Sequence, residues 1–135
     1  MNTAHLDALL DQELERRKAD EDALTAREEA AAPERIAACS TALLEAIGLP
    51  WYAALCEAGL TIVHRPSVLG DTWETVALWE YGDHGFSIEF HPGKEPQWRL
   101  EQDGSGKWLP SDRLVTTIRD WLLLVRGTQR RVSTQ

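Results

Sequence analysis

The chain has 135 residues, 43% of them hydrophobic and 27% charged, with a net charge of −8. That size and composition fit one ordinary domain with a real core and exclude wholesale disorder. No apolar run approaches the roughly 20 residues of a membrane span, the longest candidate being Trp121–Val125.

No basic start followed by an apolar stretch marks a secretory signal. Cys39 and Cys56 stand outside any CxxC or Cys/His spacing, so both are expected as reduced, buried thiols in a cytoplasmic protein. The charge is uneven. Residues 1–32 carry nine acids against four bases, whereas Arg113–Arg131 carries five arginines and one acid, Asp120. The overall negative charge opposes general binding to phosphate backbones.

Residues 3–31 lack Gly and Pro and are rich in Ala, Glu, Leu and Arg, which predicts a helix. Leu6, Leu10 and Leu14 form a short apolar stripe at i, i+4 and i+8, but no sustained heptad follows. Glu13 and Arg17 make an i,i+4 pair. Pro33 is expected at the first position of a new helix, with Ile36, Leu43 and Ile47 inward and Gly48 as the stop. Pro50 opens a shorter helix that ends at Gly59.

From Leu60 the texture turns to β. Strands are predicted at Leu60–Arg65, Thr72–Tyr81, Phe86–His91 and Gln97–Gln102, with turns between them. With Asp83-His84 as the loop tip, Tyr81 faces Phe86, Trp79 faces Ile88 and Ala77 faces Phe90. Phe90 then faces Trp98, Ile88 faces Leu100, and Glu89 faces Arg99 as a cross-strand ion pair. Asp103-Gly104-Ser105-Gly106 is read as a third turn. Ser111 caps a last helix carrying Leu114, Ile118, Trp121 or Leu122, and Val125, which stops at Gly127.

The expected fold is α+β: a four-stranded antiparallel meander with helices packed on one face, preceded by a charged N-terminal helix. The expected organisation is an arm at 1–32, a domain at 33–127 and a flexible tail at 128–135.

Chemistry-bearing patterns are scarce. Gly104-Ser105-Gly106-Lys107 is followed by Trp108 where a phosphate loop needs Ser or Thr, so it reads as a hairpin. Ser87, Glu89 and His91 alternate on one strand, but Ser87 and His91 then lie about 13 Å apart, far beyond the reach of a nucleophile and its base. His5, His64, His84 and His91 show no ligand spacing, and Glu74, Glu80, Glu89 and Glu101 share an open face with no apolar pocket to raise a pKa. No catalytic residue, metal ligand or cofactor is assigned.

Six tryptophans are many for this length. Trp51, Trp79, Trp98 and Trp121 suit the core, while Trp73 and Trp108 fall at edges where amphipathic aromatics anchor partners. Val76 and Leu78 form an apolar stripe within a charged rim on the outer sheet face. The sequence therefore points to a small acidic interaction protein, an adaptor, inhibitor or regulator. Its candidate contact residues are Leu6, Leu10, Leu14, Trp73, Val76, Leu78 and Trp108. The partner is another protein, or a second copy through the N-terminal helix. Two other readings are an enzyme or small-ligand binder near the 66–72 loop, and nucleic-acid binding through Arg113, Arg119, Arg126, Arg130 and Arg131.

Overall fold

Alternation of apolar and polar residues along each strand decides which sheet face meets the helices. The computed structural model describes residues 1–68, 72–81 and 83–134, with the backbone alone at 81, 129 and 131–134. The elements, in order, are α1 (Ala4–Ile47), α2 (Leu49–Glu57), β1 (Thr61–Pro66), β2 (Trp73–Tyr81), β3 (His84–His91), β4 (Gln97–Gln102), β5 (Ser105–Pro110) and α3 (Ser111–Thr134). Two units divide the chain, Met1–Pro33 and Glu34–Gln135.

In the second unit the strands form one antiparallel sheet in the order β1-β2-β3-β4-β5. Its inner face presents Ala77, Trp79, Phe86, Ile88, Trp98, Leu100 and Leu109. These pack with Cys39, Leu43 and Ile47 of α1, Leu55 of α2, and Leu114, Ile118, Trp121 and Val125 of α3. Trp98 is fully buried, and its indole N–H donates to the Ser111 hydroxyl at 2.8 Å. Trp79 likewise donates to the Ala58 carbonyl at 3.2 Å, so these two large core side chains keep their polar atoms satisfied.

The sheet has five strands, one more than the sequence reading allowed. Asp103 and Gly104 both have positive φ, 48° and 82°, the pattern of a two-residue type I′ hairpin turn. Gln102 therefore pairs directly with Ser105, and Ser105–Pro110 returns along β4. The expected four-residue turn consumed the first two residues of that strand, Ser105 and Gly106.

The β2–β3 register also differs from expectation, by two residues. Trp79 faces Phe86 and Ala77 faces Ile88, because the connection is the two residues 82–83 and Tyr81 pairs with His84. A shift of two keeps every side chain on its face, so hydrophobic patterning alone does not oppose it. The β3–β4 register is as expected, with Phe90 opposite Trp98, Ile88 opposite Leu100 and Glu89 opposite Arg99.

Both long helices outrun their expected ends. Helix α1 passes through Pro33, where the sequence suggested a fresh start. Proline removes one backbone donor, and strong helix formers on both sides carry the helix across the gap. Helix α3 continues past Gly127 to Thr134, because one helical glycine costs only about 1 kcal/mol.

Gly104→Ala is expected to lower the unfolding free energy by about 1 kcal/mol, since its φ suits only glycine without strain. Gly93→Ala, which meets nothing within 4 Å, is expected to stay within about 0.5 kcal/mol of the parent. Urea denaturation of the two variants checks the contrast.

Candidate functional site

In the first unit the helix is tied locally. The Asn2 side-chain oxygen accepts the Ala4 N–H at 3.0 Å, and the Thr3 hydroxyl donates to Asp7 at 3.0 Å. Arg16 bridges Glu13 and Asp20, and the expected Glu13–Arg17 pair forms at 3.2 Å. The Arg16 and then the Arg17 guanidinium hold the Glu13 carboxyl down to about 2. These pairs are exposed to water, which limits what each contributes to stability.

Against this polar background the leucines stand out. Leu6, Leu9, Leu10 and Leu14 are 56, 50, 52 and 64% exposed. Leu9 extends the stripe beyond the residues singled out by sequence: at i+3 from Leu6 it falls on the adjoining row of the helix.

In the second unit the candidate aromatics separate. Trp108 lies on β5 opposite Arg99, on the outer face, 51% exposed, with its ring 4.6 Å from the His91 ring. Trp73 takes the inner-face parity of β2 and tilts against His64 at 5.3 Å. The nitrogen Nδ1 of His64 is 2.9 Å from the Thr75 hydroxyl. By this register Trp73 and Trp108 belong to opposite faces and do not form one patch.

Val76 is outer-facing but only 3% exposed. It is flanked across the strands by Val63 and Glu89, leaving Leu78, half-buried, and Trp108 as the outer face's apolar contact points among the candidates. The arginine opposite Glu89 does not reach it as the expected ion pair. Gly106 leaves room beside it for the Arg99 guanidinium, which lies 3.6 Å from Glu101 instead.

The outer face holds a shallow depression of about 250 Å³ lined by Leu78, Glu80, Gly85, Ser87 and Glu101. His91 lies 3.5 Å from Glu89, and Ser87, Glu89 and His91 share one strand as alternate residues, an arrangement that separates nucleophile from base. Among the described residues no group of three or more His, Cys, Asp or Glu side chains could hold a metal ion. The proposed ligand site near the 66–72 loop includes residues 69–71, which lie outside the described residues.

At the β4–β5 turn, Asp103 accepts the Trp121 indole N–H at 3.0 Å, and its other oxygen is 3.8 Å from Nδ1 of His84. This cluster fastens the turn to α3. Two demands meet in Asp103, a positive φ on its backbone and an acceptor on its side chain, and Asn satisfies both. Asp103→Asn is therefore expected to stay within about 0.5 kcal/mol of the parent, and Asp103→Ala to lose about 1–2 kcal/mol; thermal denaturation followed by circular dichroism distinguishes them.

Cys39 is buried as expected, whereas Cys56, expected inward, is exposed near the end of α2; both are free. Burial pushes the Cys39 thiol up to about 12, which removes the reactive thiolate at neutral pH. A thiol reagent is expected to label one cysteine per native chain, Cys56, and the second only after unfolding; mass spectrometry of the labelled peptides reads the outcome.

The described arginines of the C-terminal cluster all belong to α3. Arg113, Arg126 and Arg130 are exposed, and Arg119 is 3.7 Å from Asp120. Among the described residues no helix is long and apolar enough to cross a membrane. Comparisons of the chain with protein-family models, with curated proteins and with solved structures find no match, so the fold and these surfaces are the basis for a functional reading.

Proposed function

We propose that this chain is an interaction protein, of adaptor, inhibitor or regulator type, that engages another polypeptide through its N-terminal helix. The observation that carries this reading is the set of four half-exposed leucines in the first turns of α1. Isolated helices are marginal in water, and helices in proteins draw most of their stability from a covered apolar face. Removing leucine surface from water contributes about 25 cal/mol per Å², so a partner that covers Leu6, Leu9, Leu10 and Leu14 both gains affinity and steadies the helix. The acidic surroundings of the stripe favour a partner surface that is itself basic.

The test replaces all four leucines by glutamine, which keeps helix propensity and removes the apolar stripe. Light scattering after size exclusion and affinity capture from an extract are run on parent and variant. The parent is expected to show an assembly or a captured protein that the variant lacks, with the same melting temperature for the folded domain. Identical behaviour in both measurements would contradict the reading.

A further inference from the structure

Helix α3 carries a second stripe that the core does not use. Leu114, Ile118, Trp121 and Val125 are buried along one side. On the opposite side, at helical spacing, come Arg119, Leu123, Arg126 and Arg130. Leu123 is 61% exposed, an aliphatic side chain with Arg119 and Arg126 one helical turn away on either side and Asp120, 3.7 Å from Arg119, beside them. The first turns of α1 have the complementary composition. Leu10 and Leu14 are exposed there, with Asp7 and Asp11 along one flank of the stripe ahead of Lys18, and Glu13, which Arg16 and Arg17 engage, along the other. Residues 1–32 carry nine acids against four bases, and Arg113–Arg131 carries five arginines against one acid.

From this match we infer that the N-terminal helix of one copy docks across α3 of a second copy. Leu10 and Leu14 cover Leu123, while Asp7 and Asp11 lie beside Arg126 and Arg119. This names the partner for the interaction proposed above and rests on that proposal. A twofold axis repeats the contact, so each copy gives one arm and receives one, and the assembly closes as a dimer. Apolar contact supplies affinity, and the opposed charges set register and favour encounter. The same arginines are the ones that would track a nucleic-acid backbone, but the acidic leucine helix offers them both charge and apolar surface, and a phosphate chain offers only charge.

The experiment is sedimentation equilibrium on the full chain, at low and at high salt, with four variants: Leu123→Gln, Arg126→Glu, the pair Asp7→Arg with Asp11→Arg, and the combination of that pair with Arg119→Glu and Arg126→Glu. The parent is expected to be a dimer that weakens with salt. Leu123→Gln, Arg126→Glu and the Asp pair are each expected to weaken it by about tenfold or more, and the combined charge swap to recover most of that loss. Circular dichroism confirms that each exposed-site variant stays folded.

A monomeric parent overturns the inference. So does a dimer indifferent to Leu123→Gln and Arg126→Glu, even where the four-leucine variant alters assembly or capture, an outcome that leaves the wider proposal standing. Monomeric chain that binds a single-stranded oligonucleotide, and loses it with Arg126→Glu, also overturns it and assigns the stripe to nucleic acid.

Discussion

Burial of Trp98 and its neighbours on one face of the sheet is the constraint on which the second unit depends. Trp98, Leu100, Ile88 and Ala77 are the most deeply buried of the inner-facing residues of the middle strands, at 0 or 1% exposure. Covering them requires apolar helix faces, and Cys39, Leu43, Leu114 and Ile118 provide these at helical spacing. The indole N–H of Trp98 then fixes where α3 begins, through Ser111, and the indole N–H of Trp121 fixes the β4–β5 turn, through Asp103. The tryptophans thus act twice, as bulk for the core and as polar pins at its margin.

Much of this was legible in the sequence because period-2 and period-3.6 patterns report faces directly. The inner-face residues of β2, β3 and β4 were readable from alternation, and the β3–β4 pairing was readable in full. Patterning is blind to shifts of two residues, so the β2–β3 register needed the turn itself. The fifth strand was readable too, from Asp-Gly as a hairpin signal ahead of Lys107, Trp108 and Leu109. Taking four residues for the turn hid it. The helix ends were misjudged for a common reason: Pro33 and Gly127 each penalise helix locally, and the flanking residues outweigh that penalty.

The candidate contact residues show the same division. Leu6, Leu10 and Leu14 were visible as a stripe whose exposure the structure supplies. Trp73 and Trp108 looked alike in sequence and lie on opposite faces because their strands give them opposite parity. Val76 has outer-face parity and is nonetheless covered, since a side chain in an inner strand of a sheet is enclosed by neighbours on four sides. Exposure is a property of surroundings, and alternation gives only direction.

The fold and the proposal above combine into one account: a packed α+β unit has its core between the sheet and the helices, and the leucines of the N-terminal helix, exposed in the single chain, are proposed to meet another polypeptide. Hydrogen exchange of the full chain at low and high protein concentration tests this most directly, because opening of a helix with uncovered leucines is a local event that a bound partner suppresses. The account, with a second copy as that partner, predicts fast exchange of amides 4–20 in dilute solution and clear protection of the same amides in concentrated solution, while the amides around Trp98 remain protected throughout. Equal exchange of amides 4–20 at both concentrations would contradict it.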